Sequence, residues 1–222
     1  PRMPTPSPED RLGTVLGRKY RIERILDTGG MGVVYAATQL ALDRPVAIKI
    51  LLPVDAQNPD IARRFLTDAR VAARLKHPHV VDVIDVAEED DGTAYLVLEY
   101  LEGETLEALL ARAGRLSASH CADILLPVMD ALALAHARAV VHRDIKPGNV
   151  FIARGEAGEV PKLLDFGIAK VKSDTFHGTA SGTVLGTVYY MAPEQARGET
   201  KLSPTADVWS MAVVWYECLA GA

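Results

Sequence analysis

His142-Arg143-Asp144-Ile145-Lys146-Pro147-Gly148-Asn149 sets several reactive side chains within one short run. Asp144 is a carboxylate suited to accepting a proton from a hydroxyl. Lys146, two residues on, is a cation that can neutralise charge on a transferring phosphoryl group, and Asn149 offers an amide oxygen to Mg²⁺. Downstream, Asp165-Phe166-Gly167 follows the strand-like Lys162-Leu163-Leu164, and Asp165 supplies a second metal ligand. Phosphoryl transfer depends on positioning and charge neutralisation more than on covalent chemistry. A base, two oxygen ligands and nearby lysines meet that need.

Toward the N-terminus the chain reads as strands. Tyr20 to Leu26 alternates apolar and polar residues. The cluster Gly29-Gly30-Met31-Gly32 then leads into Val33-Val34-Tyr35-Ala36. Glycines let backbone amides approach phosphate oxygens, although an ordinary hairpin turn reads the same way. A strand rather than a helix follows, so this is not a dinucleotide fingerprint. Val46-Ala47-Ile48-Lys49-Ile50-Leu51 is a further strand. Lys49 on it can hold phosphates as a point charge or be a strand-end surface lysine. Asp60 to Leu75 has helical spacing, with Ile61, Phe65, Ala69 and Ala72 on one face. Val81–Ala87 and Tyr95–Glu99 fit two more strands.

Beyond Gly103 the pattern turns helical. Ser117 is suited to cap a helix running to about Ala139, and Pro127 inside it predicts a kink. A strand and loop region from His142 to Phe166 precedes a last helix at Pro204–Leu219. Pro1 to Asp10 holds four prolines and predicts a disordered leader. The 222 residues carry 24 Lys and Arg against 29 Asp and Glu, a formal net charge of −5, which argues against a nucleic-acid partner. The two cysteines, Cys121 and Cys218, read as buried thiols of a reducing cytosol rather than a disulfide or metal framework. His77, His79, His120, His136 and His177 lack metal-ligand spacing. The apolar stretch Cys121 to Val141 is interrupted by Asp123, Asp130, His136 and Arg138. It reads as a buried helix, not a membrane span.

Taken in order, these motifs resemble the eukaryotic-type serine/threonine protein kinases, most of all the bacterial branch, whose glycine loop often reads Gly-Gly-Met-Gly. The resemblance spans about residues 20–222. It implies an α+β, two-lobed protein kinase fold with a β-rich N-lobe (about 20–98), a hinge (99–103) and a helical C-lobe (104–222) that stops after the buried central helix. Residues 1–19 are then a leader and the approach to the first strand. It implies ATP with Mg²⁺ or Mn²⁺. Asp144, Lys146, Lys49, Asn149 and Asp68 become the catalytic set, and Asn149 and Asp165 the metal ligands. The nucleotide would be held by Leu26, Gly29, Gly30, Gly32, Val34, Ala47, Lys49, Glu99, Leu101, Phe151 and Asp165, with Leu98 as gatekeeper. For Leu26, Val34, Ala47 and Phe151, core packing reads equally well without the family.

The resemblance also matches Ala192-Pro193-Glu194 to the close of the activation segment, and Gly186-Thr187 to the loop whose threonine bonds the catalytic Asp and Lys. Asp207-Val208-Trp209-Ser210 matches the start of the buried helix whose Asp braces the catalytic loop. Thr179, Ser181 and Thr183 are the expected phosphorylation sites. The implied setting is cytoplasmic, with Ser/Thr-bearing protein substrates, no membrane segment within this chain, and a dimer as a route to autophosphorylation. A membrane anchor beyond residue 222 stays open. Three features depart from the family pattern. Asp27 replaces the first loop glycine, Asp68 stands where a longer Glu is usual, and the chain stops at Ala222, ahead of the family's remaining C-lobe helices and the arginine expected to pair with Glu194. These departures leave a nucleotide-binding pseudokinase scaffold as the alternative. A small-molecule phosphotransferase of related fold would lack the long activation segment.

Overall fold

The computed structural model describes residues 7–29, 32–52, 59–156, 158–166 and 186–221. They divide into two compact units. One comprises the chain up to Arg74 together with Asp82–Tyr100; the other comprises Leu75–Val81 and the chain from Leu101 onward.

The first unit is built on a six-stranded antiparallel sheet in the order β1-β2-β3-β4-β6-β5. The strands are β1 (Val15–Leu16), β2 (Tyr20–Gly29), β3 (Gly32–Gln39), β4 (Arg44–Leu51), β5 (Val83–Glu88) and β6 (Ala94–Glu99). Period-two alternation sorts their side chains onto two faces. One face gathers Tyr20, Ile22, Val33, Tyr35, Val46, Ile48, Ile50, Tyr95 and Val97 into a buried cluster. On the opposite face, the register aligns Val34 with Lys49 and Leu96, and Ala36 with Ala47 and Leu98. Helix α1 (Pro59–Ala72) buries Ile61, Phe65, Ala69 and Ala72 and packs on β5 and β6. Register shifts between Ile22 and Arg24, and between Ile25 and Asp27, bulge β2 just before Gly29.

Two expectations are corrected in this unit. The disordered leader was drawn through Asp10, yet Pro8–Arg11 forms a 3-10 turn. The Asp10 carboxylate accepts the Ser7 N–H, and the carbonyl of Pro8 accepts the hydroxyl of the buried Tyr35. Proline at the start of the turn suits the fixed φ and the missing N–H, so composition misjudged Pro8–Asp10; Pro1–Pro6 lie outside the described residues. The strand expected from Val81 begins at Val83 instead. Val80 and Val81 leave the sheet, and Val81 N–H bonds to the Leu163 carbonyl in the second unit.

The second unit carries a three-stranded sheet in the order β7-β8-β9, formed by Gly103–Thr105, Val150–Gly155 and Gly158–Leu163. Its helices are α2 (Leu106–Ala113), α3 (Ala118–Ala137), α4 (Pro193–Ala196) and α5 (Pro204–Ala220). Ser117 caps α3, accepting the His120 N–H. The helix runs unbroken through Pro127 and ends at Ala137, two residues short of the expected point. It is long and apolar enough, by length and composition alone, to cross a membrane. Here it packs against α5 and β9, burying Cys121, Ile124, Leu125, Val128, Ala131, Leu132 and Ala135. Cys121 and Cys218 are both free and buried; burial raises the Cys121 thiol and pushes Cys218 up to about 12, so both stay protonated. Gly221 adopts φ +73° and ends α5 as a left-handed cap.

Candidate active site

Helix α5 supplies the anchor of the site. Asp207 lies in its first turn with only 1% of its surface exposed. A buried carboxylate is costly unless its oxygens are satisfied. Oδ1 accepts the Arg143 N–H at 2.8 Å; Oδ2 accepts the His142 N–H at 2.8 Å and the His136 Nε2–H at 2.7 Å. One side chain therefore fixes two consecutive peptides of the loop that leads to Asp144, and His136 on α3 steadies the carboxylate from the other side.

His142 is fully buried and its state is set by its neighbours. The Leu164 carbonyl can only accept, so Nε2 carries the proton across 2.8 Å. The Asp144 N–H can only donate, so Nδ1 accepts at 3.3 Å. This is the neutral imidazole. Burial lowers the His142 pKa, outweighing the opposite pull of the Asp207, Asp144 and Asp165 carboxylates. The ring also packs against Phe166, with centroids 4.8 Å apart. The catalytic-loop histidine thus touches the segment on either side of Asp165.

Asp144, Lys146 and Asn149 are gathered on one short stretch. Asn149 is buried at the end of the 3-10 turn Pro147–Asn149. Its Nδ2 donates to the Asp144 carbonyl at 2.7 Å and to Asp144 Oδ2 at 3.0 Å. The Lys146 ammonium is 3.9 Å from the same Oδ2. The Leu164 N–H donates to the Asn149 carbonyl at 2.8 Å, which ties this turn to the approach to Asp165. Asp165 has φ +49° and Arg143 φ +67°. Left-handed backbone at non-glycine residues is sparsely populated and concentrates at functional sites. Phe151 stands partly buried on β8, paired with Thr105 and Lys162.

The remaining candidates sit mostly on the first unit. Val34, Ala47, Lys49 and Leu98 share one face of the sheet through adjacent rows of the register. Leu26 falls at a bulge and is 38% exposed. Asp27 is exposed, and its carboxylate accepts the neighbouring Thr28 N–H at 2.8 Å. Gly29 on β2 and Gly32 on β3 are paired. A Cβ at Gly32 would meet the Ile50 carbonyl oxygen at 2.6 Å, so close packing against β4 requires glycine there whatever the loop binds. Asp68 is partly buried on α1. Glu99 ends β6, and its N–H is taken by the Asp82 carbonyl at 3.0 Å. Leu101 opens the second unit's main segment. Gly30, Gly167, Thr179, Ser181, Thr183 and the side chain of Thr187 lie outside the described residues.

The sequence reading missed two contributors. His136 was weighed only as a metal ligand, and Gln195 was passed over. Gln195 Nε2 donates to the Arg143 carbonyl at 2.9 Å, and its Oε1 accepts the Ala192 N–H at 3.1 Å. A Gln at the third position of a short helix is the one local signal; its second partner lies far away in the chain.

An antiparallel sheet bearing Lys49, and a helical unit in which Asp144, Lys146 and Asn149 share one short loop, make up the architecture of a protein kinase domain. The chain belongs to the protein kinase domain family, whose model matches residues 20–222. It is 44% identical over 215 residues to the serine/threonine-protein kinase PknA of Mycobacterium tuberculosis, covering 95% of this chain and 49% of that protein. It is 41% identical over 212 residues to the serine/threonine-protein kinase PrkC of Bacillus subtilis, covering 95% and 32%. The crystal structure of the Mycobacterium tuberculosis PknI kinase domain matches with TM-score 0.75 at 31% identity, covering 95% of this chain and 77% of that one. The chain spans half or less of the length of these two curated relatives. The fold is the α+β protein kinase fold that the motifs implied.

Proposed function

We propose that this chain transfers the γ-phosphoryl group of ATP to serine and threonine hydroxyls of protein substrates. The observation that carries the reading is the double hydrogen bond from Asn149 to the backbone and side chain of Asp144, which locks a base and a metal-ligand candidate into one turn. With the Asn149 side-chain N–H groups turned to Asp144, its side-chain oxygen Oδ1 is the atom that would hold Mg²⁺. Asp165 adds a carboxylate oxygen, and this hard-oxygen donor pair fits that ion. A bound Mg²⁺ would neutralise phosphate charge and orient the phosphates.

In the chemical step the substrate oxygen bonds to the γ-phosphorus. The bond from that phosphorus to the bridging oxygen breaks toward ADP, and Asp144 takes the hydroxyl proton. Lys146, held near the same carboxylate, offsets charge on the group in transfer. On the first unit Lys49 would hold the α- and β-phosphates, with Asp68 steadying it and the turn at Gly29, Gly30 and Gly32 covering them. Adenine would lie against Leu26, Val34, Ala47 and Phe151, read by the backbone of Glu99 and Leu101. Because Asp82 already takes the Glu99 N–H, the contact at Glu99 falls to its carbonyl. The segment 99–103 serves as the hinge between N-lobe and C-lobe.

The protein also modifies itself, with a dimer as the route and Thr179, Ser181 or Thr183 as acceptors, a phosphate there pairing with Arg143. The domain works on the cytoplasmic side and needs no nucleic acid. Incubation with labelled ATP, Mg²⁺ and a generic basic protein tests the reading. Label on phosphoserine and phosphothreonine of the substrate is the expected result, with at least one of the three activation-segment sites modified by mass spectrometry. ATP binding without any transfer would point to a scaffold instead.

A further inference from the structure

Among the described residues, the Gln195 side chain hydrogen-bonds the close of the activation segment to the catalytic loop. Gln195 sits on the single-turn helix α4 and bridges two backbone groups: Ala192 N–H to Oε1, and Nε2–H to the Arg143 carbonyl. Each partner has a fixed polarity, so the orientation of the amide is determined. The Arg143 carbonyl belongs to the peptide that joins Arg143 to Asp144. That peptide follows a residue at φ +67°, a sparsely populated conformation kept only where neighbours over-determine it. Asp207 holds the N–H of Arg143 and Gln195 holds its carbonyl. The Arg143 Nε is buried without a hydrogen-bond partner among the described residues, so that atom does not share the task.

We infer that Gln195 is a positioning residue: its amide nitrogen fixes the Arg143–Asp144 peptide, and so the aim of the Asp144 carboxylate, from the end of the activation segment. This rests on Asp144 being the proton acceptor. The segment has other anchors. Ser210 donates to the Tyr190 carbonyl at 2.6 Å and the Tyr190 hydroxyl donates to Glu217 at 2.7 Å. Loss of the Gln195 donor therefore leaves the segment attached and changes what it does to the loop.

Gln195→Glu separates the two bonds. A glutamate keeps an oxygen for the Ala192 N–H, as in a capping box, but loses the donor and sets an anion against the Arg143 carbonyl. In the intact protein the expected result is a kcat at least tenfold below wild type, with KM for ATP within about twofold and Tm nearly unchanged. Gln195→Ala should lower kcat similarly and Tm further. Asp144→Asn is measured alongside. If Gln195→Glu turns over within twofold of wild type while Asp144→Asn is inactive, the inference is wrong and the Asp144 assignment stands. If kcat and KM for ATP worsen together with Tm, the residue is merely structural. If Asp144→Asn transfers phosphate normally, both ideas fall.

Discussion

The Oδ1 of Asp207 accepts the backbone N–H of Arg143 at 2.8 Å, joining residues 64 apart in sequence. The same carboxylate holds His142 and His136. Asp207→Ala would strand three donors in a buried site, each costing about 1–3 kcal/mol when left unmade. A loss of about 3–5 kcal/mol in urea unfolding is expected, together with a fall in phosphoryl transfer. Unfolding within 1 kcal/mol of wild type would show that the loop is held by other contacts.

His142 makes stability depend on pH. Its folded pKa lies below the ordinary value near 6.5, so above that value both states are neutral and the residue contributes no slope. As pH falls below about 6.5 the unfolded chain takes up the proton first. Stability is then lost, by up to about 1.4 kcal/mol per pH unit, until the folded pKa is reached. Unfolding free energies at pH 7.0 and pH 5.5 test this by comparing wild type with His142→Gln. The wild type should lose more on acidification; equal losses would mean that the buried imidazole takes up its proton as readily as a solvated one.

Local pattern carried much of the fold. Alternation located β2, short strand-like runs located β3, β4 and β6, Ser117 marked the start of α3, and the run from His142 to Asn149 placed three side chains that do meet. Pairing partners were less legible because they are set by distant chain. Val81 read as the start of β5, yet it and the preceding Val80 pair with Leu163. The short elements β7 and α2, capped by Thr105, gave no period long enough to read. Composition marked Pro8–Asp10 as disordered because the hydroxyl of Tyr35, which meets Pro8, comes later in the chain. Gln195 was invisible for the same reason: its link to Arg143 exists only once α4 is folded against the loop.

Asp68 tests the small unit. In place of the family's longer Glu it gives up about 1.5 Å of reach, roughly one residue's rise along a helix. If it steadies Lys49, Asp68→Ala should lower kcat/KM at least tenfold, equivalent to about 1.4 kcal/mol. Asp68→Glu should match or exceed wild type on the same peptide substrate. Wild-type activity in Asp68→Ala would remove Asp68 from the catalytic set.

The account stands most directly on Asp144. In a single-turnover experiment, with enzyme in excess over ATP and a threonine-containing peptide supplied, Asp144→Asn should bind ATP as wild type does. It should transfer the γ-phosphoryl group about 10²–10⁴-fold more slowly, the usual contribution of general-base assistance. A variant that transfers within a few-fold of wild type would contradict the assignment of Asp144 as the proton acceptor, and with it the proposed mechanism.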